Sequence, residues 1–423
     1  MIAADLVVDD IGELATLAVG PIPRVGAAAE ELGLLSDAAV AVADGRVAWV
    51  GRERTLRREV RLRSRGRHVS AAGGVVVPGF VDAHTHALFA GDRAFELPLK
   101  VHGAGYAEIA RAGGGIYATV RATRSATDAK LLDESAARLE RMGRWGTTSV
   151  EVKSGYALTV AGELRLLRLV PRLAARTGLR LVPTFLGAHA VAPEYRERPD
   201  VYVDLLVRQA LPRVAAEHLA RFCDVFCEPG FFSVPQSERL LSAALALGLD
   251  VKLHAEEFVL SGGARLAARL HAVSADHLLA ARAGDRAALA KSGVTAVLLP
   301  ITAVTASPGR RSPGREMVDA GVPVALGSDC SPNCWVEAMP VVLAHAVHAA
   351  RLSPAEALTA ATVNAAHASG LEDAGTVEVG RPADFAVFPV RSVDQLGYRF
   401  DVIPTVVFRQ GNRISPPTLR HYF

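Results

Sequence analysis

The amino-acid sequence predicts an α/β fold: a (β/α)8 TIM-like barrel with a small β-sandwich domain formed from both termini. Two observations lead there. In the middle of the chain a helical segment, a Gly or polar break, a β-branched run and then a polar residue recur eight times. Both ends instead carry short strand-like runs, too few on either side to make a stable sheet alone. Strands alternating with helices imply parallel pairing, and eight such units close a barrel whose C-terminal strand ends share one face.

At the N-terminus, Asp5–Val8 reads as one strand, and Ala39–Val42 with Val47–Val50 as a hairpin turned at Asp44-Gly45. The C-terminus offers Asp384–Phe388, Thr405–Phe408, a turn at Gln410-Gly411-Asn412 and a last short strand. The expected composite domain is 1–77 with 385–423, and the expected barrel is 78–384. Of the eight barrel runs, Val75–Phe80 leads to His84, Thr147–Val152 to Lys153, Leu179–Phe185 to His189 and Asp224–Phe226 to Glu228. The others are Leu249–Leu253 before His254, Ala272–Ala275 before His277, Val294–Leu299 before Pro300 and Val322–Leu326 before Asp329. One helix is marked at both ends. Ser353, Pro354 and Glu356 form an N-terminal capping signature, and Gly370 closes it.

Of 423 residues, 50% are hydrophobic and 22% charged, enough for a large core and not the composition of a disordered chain. A net charge of +3 is too even for a polyanion-binding surface, so no nucleic-acid partner is expected. The start lacks a basic leader, and no apolar run reaches the roughly 18 residues of a membrane span, so a cytoplasmic protein with no membrane partner is expected. The four cysteines form two pairs, Cys223-x3-Cys227 and Cys330-x3-Cys334. The first pair lies in a strand-like run, where four residues span roughly 13 Å, too far for adjacent ligands of one metal. Reduced, buried thiols are the better reading.

The chemistry concentrates in Pro78-Gly79-Phe80-Val81-Asp82-Ala83-His84-Thr85-His86. On extended backbone, residues i and i+2 face one side, so both imidazoles can reach one ion. His254, His277 and Asp329 end other runs, and imidazole nitrogen with carboxylate oxygen suits Zn2+ or a similar cation with a position left open for water. Such a site can supply hydroxide near neutral pH, and hydrolysis follows.

These segments resemble the metal-dependent amidohydrolase superfamily. More narrowly, nearly the whole chain is similar in order to the imidazolonepropionase family. The family-specific elements are Glu151-Val152-Lys153-Ser154-Gly155-Tyr156 and Thr184-Phe185-Leu186-Gly187-Ala188-His189, with Ala112–Ile116, Thr119–Arg124 and Ser274–Leu278 in support. The resemblance implies hydrolytic ring opening of a small molecule, 4-imidazolone-5-propanoate, to N-formimidoyl-L-glutamate in histidine degradation by metal-activated water. It implies one divalent or trivalent ion, Zn2+ or iron, on His84, His86, His254 and Asp329, and it carries the expectation of a homodimer. Arg93 would pair with the substrate carboxylate, and Tyr156 and His189 would hold ring and propanoate. Glu257, four residues into His254-Ala255-Glu256-Glu257, would touch a ring nitrogen and shuttle a proton, with Glu256 its rival. His277 and Asp329 complete the expected catalytic set. Lys153 is expected to be structural rather than a bridging carboxylated lysine, and Gly113–Gly115 a loop over the site rather than a phosphate loop.

One loop departs from the family. Where many members read Asp-x-Asn-Pro-Gly-Ser/Thr, this chain reads Asp329-Cys330-Ser331-Pro332-Asn333-Cys334. Ser331, Asn333 and Cys334 are expected to touch the substrate from these positions. Two other readings exist: a related amidohydrolase or deaminase acting on another cyclic amide, imine or aromatic amine, and an inactive scaffold on the same fold.

Overall fold

The computed structural model describes residues 1–103, 108–109, 112–306 and 309–414, so the part of the expected terminal domain beyond 414 lies outside them. Eight parallel strands form the barrel sheet: β5 (Phe80–Asp82), β6 (Thr147–Lys153), β7 (Arg180–Ala188), β8 (Phe222–Cys227), β9 (Asp250–Ala255), β10 (Ser274–His277), β11 (Thr295–Leu298) and β12 (Val324–Leu326). They neighbour one another in sequence order from β5 to β12. The two ends of this sheet are joined beyond the strands. Ala83 N donates to Leu326 O at 3.4 Å and Asp329 N to His84 O at 2.9 Å, with a parallel bridge between Thr85 and Cys330. The sequence-predicted barrel is thus present, and its seam lies at the His-x-His segment.

The termini make one seven-stranded mixed sheet from β1 (Ile2–Ala15), β2 (Leu34–Ala43), β3 (Arg46–Arg52), β4 (Val60–Pro78), β13 (Phe385–Phe388), β14 (Val406–Arg409) and β15 (Asn412–Arg413). β1 lies parallel to β4, and β13 runs antiparallel to β4. Leu6, Val8, Val40, Val42, Phe385 and Phe408 fill one face, with the two phenylalanine rings 5.1 Å apart. Phe388 of this sheet meets Phe80 of the barrel at 5.8 Å.

The run Val75–Phe80 divides between two sheets. Val75–Val77 pair with Phe388–Ala386, and only Phe80–Asp82 belong to the barrel. Gly79 makes the crossing possible, because a Cβ there would lie 2.3 Å from the Thr148 side chain. The single helix expected from Ser353 to Gly370 is two, Pro354–Ala360 and Val363–Ala368. Its capping box is present, but Ala361 O is diverted to Val81 N of the first barrel strand at 2.9 Å, and Thr362 leaves helical geometry. All four cysteines are buried and free. Among the described residues no helix is long and apolar enough to cross a membrane.

Candidate metal centre

Beyond β5 the chain stays extended but leaves the ladder, and its neighbours aim it. Asp82 accepts Ser328 N at 2.9 Å, Thr85 Oγ1 donates to Glu151 O at 2.6 Å, and Lys153 N donates to Thr85 O at 3.0 Å. With Thr85 tied outward to β6, His84 and His86 point to the barrel axis, where both are buried. His254 on β9 brings its Nε2 to 3.3 Å from His86 Nε2. Asp329 Oδ1 lies 3.5 Å from His86 Nε2 and 3.7 Å from His84 Nε2. Its Oδ2 accepts from Thr302 Oγ1 at 2.7 Å, and burial pushes the carboxyl pKa up to about 6. His277 closes the set at the end of β10, close to His84 and His254. His277 and Asp329 both sit at positive φ, 73° and 53°.

A buried charge network holds the imidazoles from below. His84 Nδ1 lies 2.6 Å from Asp276 Oδ2, and His254 Nδ1 lies 3.0 Å from Asp224 Oδ2. Lys153 Nζ stands between these carboxylates, 2.8 Å from Asp224 and 3.6 Å from Asp276, and Glu151 ties it to Lys252. Burial alone would lower the Lys153 pKa, but Asp224, Glu151 and Asp276 outweigh it and raise it. Lys153 is therefore a fully buried ammonium, not a carboxylated metal bridge. The hydrogen bond between His84 Nδ1 and Asp276 leaves the His84 Nε2 lone pair facing the axis.

The chemistry of this donor set fits a cation. Burial first, then Lys153 and the neighbouring imidazoles, hold His84 well below its ordinary pKa; burial, then His189 and His254, do the same for His86. Neutral rings present lone pairs, yet His84 Nε2 is buried with no hydrogen-bond partner among the described residues. Tetrahedral ligands about 2.1 Å from a Zn2+ are roughly 3.4 Å apart, close to the spacings found here.

The donors open into a cavity of about 600 Å3 lined by Arg93, Tyr156, His189, Glu257, Ser331 and Asn333 among others. Glu256 and Glu257 diverge. Glu256, at φ 50°, accepts Gly262 N and Ala264 N, both at 2.8 Å, and is turned into its loop. Glu257 faces the cavity with Oε2 3.5 Å from His277 Nε2, and burial, then Asp329 and Glu228, raise its pKa well above the ordinary value. His189 stacks on His86 with centroids 4.7 Å apart, its Nδ1 3.2 Å from Gly155 O, and burial lowers its pKa to about 3. Tyr156 lies 5.1 Å from His189, and burial raises its phenol pKa, so it stays a neutral donor.

Two expectations meet different surroundings. Arg93 reaches the cavity, but its Nε and Nη2 donate to Glu96 at 2.7 and 2.8 Å. Cys334 is buried behind the loop with Sγ donating to Ser328 O at 3.9 Å, and it is not on the cavity wall. Its turn is closed by Ser331 N to Cys334 O at 3.0 Å, which directs the thiol inward. Glu96 and Lys100 line the cavity without having been singled out. Their signal was the i, i+3 and i, i+4 spacing from Arg93 and Glu96, common on any solvated helix. Glu228 was read only as a strand-end residue, yet it accepts Phe258 N and Val259 N at 3.1 and 2.7 Å and so holds the loop that carries Glu257.

Comparison with known proteins gives a consistent result. The model for the Amidohydrolase family matches residues 238–414. An imidazolonepropionase from Symbiobacterium thermophilum is 49% identical over 386 residues, covering 90% of each chain. One from Herpetosiphon aurantiacus is 42% identical over 423 residues, covering 97% of each. Among solved structures, an adenosine deaminase from Xanthomonas campestris with bound zinc superposes with a TM-score of 0.70 at 22% identity, over 97% of this chain and 93% of that one. The zinc complex of an atrazine chlorohydrolase from Arthrobacter aurescens gives 0.68 at 18%, over 96% and 94%. At these identities the structural matches speak for the fold alone.

Proposed function

The chain belongs to the imidazolonepropionase family within the amidohydrolases, and from that premise we propose how its own residues carry out the reaction. The enzyme is a hydrolase of a cyclic amide: it opens 4-imidazolone-5-propanoate to N-formimidoyl-L-glutamate in histidine degradation. The bond broken joins the ring carbonyl carbon to its neighbouring nitrogen.

Members of this superfamily use metals, and His84, His86, His254 and Asp329 would hold one ion here, Zn2+ or iron. When bound, such an ion polarises a carbonyl and makes water a better nucleophile. The protein supplies the rest. Tyr156 OH donates to the substrate, and His189, with Nδ1–H given to Gly155, offers Nε2 to the ring. Asp329 takes a proton as water adds to the carbonyl carbon. Glu257, whose pKa burial raises well above the ordinary value, gives a proton to the departing nitrogen and is restored by the proton left on Asp329. His277 donates to the developing oxyanion. Phe226, Phe231 and Phe258 keep bulk water from the reacting bond. A cytoplasmic place and a homodimer belong to the same proposal, to be checked by cell fractionation and light scattering.

The observation that carries these roles is the convergence of the buried His84, His86, His254 and Asp329 side chains beside the cavity that Glu257 lines. The test is direct. Purified, metal-loaded protein should consume imidazolone propanoate, seen as loss of the ring's ultraviolet absorbance with formation of the formimidoyl product. A silent assay, with turnover of an aminated or formimino ring instead, would overturn the assignment in favour of a deaminase.

A further inference from the structure

We infer that Lys100, oriented by Asn333, is a specificity-determining residue that recognises the substrate's carboxylate beside Arg93. The inference rests on the reaction assigned above and concerns the part of the substrate that does not react.

Arg93 alone is a poor anchor for a carboxylate in this chain. Two of its three guanidinium nitrogens are already given to Glu96, which is fully buried and also accepts Gly115 N at 2.7 Å. Displacing Glu96 would leave a buried carboxylate without its partner, which is costly. Arg93 therefore meets a ligand with Nη1 only, and not with the two-pronged grip the guanidinium otherwise provides. Lys100 supplies the missing donor. Its Nζ lies 3.5 Å from Glu96 Oε2 and 2.7 Å from Asn333 Oδ1, and all four residues line the same cavity. Two cations thus share one carboxylate, which leaves an unbalanced positive charge at the wall.

Asn333 is the side chain that ties this together. Lysine has donors and no acceptor, so Asn333 must turn Oδ1 to Lys100, which frees the two N–H groups of Nδ2. Ser331 is engaged within its own turn, accepting Cys334 N at 3.1 Å.

The test compares binding of imidazole-4-propanoate and its uncharged amide, imidazole-4-propanamide, to metal-loaded protein by calorimetry, alongside turnover. Lys100→Met should weaken propanoate binding about 10- to 100-fold, the range for losing a charge-assisted hydrogen bond, and alter propanamide binding less than about threefold. KM for imidazolone propanoate should rise while kcat stays within about threefold. Lys100→Arg should retain most of the preference, Asn333→Gly should lose part of it, and Lys130→Met on the outer surface should change neither. Equal losses for both ligands, or none, would overturn the inference. An unmutated protein that binds propanoate with this Lys100 dependence but opens no ring would fault the reaction and leave the anion site standing.

Discussion

Glu256 and Glu257 are adjacent and chemically identical, yet backbone geometry sends one into a loop and the other into the cavity. Glu257→Gln keeps the shape and removes the proton, so kcat should fall about 100- to 10,000-fold with metal content, measured by elemental analysis, unchanged. Full turnover with the ion in place would remove Glu257 from the mechanism. Lys153 works by charge rather than contact with substrate. Lys153→Met leaves Glu151, Asp224 and Asp276 buried around an uncharged chain. Chemical denaturation should register a loss of about 3–5 kcal/mol. It should also report weaker metal binding, because the carboxylates that orient His84 and His254 lose their common partner.

Three of the loops around the cavity are not free-standing, since a buried glutamate accepts backbone N–H in each. Glu163 takes Gly155, Ala157 and Leu158, at 2.7–2.8 Å, and so fixes Tyr156. Glu228 does the same for the Glu257 loop, and Glu96 for Gly115. Glu96 offers a pH test. Burial raises its pKa, but the Arg93 bond, the Gly115 N–H and the charges of Arg93 and Lys100 more than offset this and lower it below 4.5. A depressed folded-state value means that its stabilisation is complete above the ordinary glutamate pKa and is lost as pH falls through the lowered one. The hydrogen-exchange protection factor of the Gly115 amide should therefore fall on acidification below about pH 4.5. In Glu96→Gln that pH dependence should vanish; its persistence would mean another group controls the segment.

At the scale of the whole molecule, the barrel is stapled to a sheet made from both ends of the chain. Phe385 is fully buried in that sheet. Phe385→Ala should destabilise the protein by about 3–5 kcal/mol, measured by denaturant titration, although it lies in the terminal sheet and outside the metal centre. The ion should act across the fold too, because its proposed ligands come from β9, the end of β12 and the segment after β5. At a hundred times its Kd an ion contributes about 2.7 kcal/mol, so chelation should abolish turnover and lower Tm by a few degrees. Zn2+ or ferrous iron should restore both, and the ion that restores turnover identifies the native one. An unchanged Tm would argue against an ion bridging these strands.

Much of the fold was legible because it depends on local patterns. Strand-sized apolar runs ending in a polar residue, and the His-x-His at the Pro78-Gly79 break, can be read without knowing what they pair with. What stayed hidden depends on partners far away in sequence. Val75–Phe80 reads as one continuous run because nothing nearby reveals that Val75 pairs with Phe388. The break at Thr362 follows from Val81 capturing a carbonyl across the fold. Nothing local to Lys100 indicates that its Nζ lies 2.7 Å from Asn333 Oδ1, 233 residues away.

The sequence by itself determined the kinds of donor available and the strand ends that carry them, since alternation and residue chemistry are local properties. Only the tertiary structure decided which of those donors meet, which glutamate faces the cavity and which cations remain unsatisfied. Those outcomes turn on distances of an ångström or two between segments that hundreds of residues separate, and such distances exist only once the barrel closes.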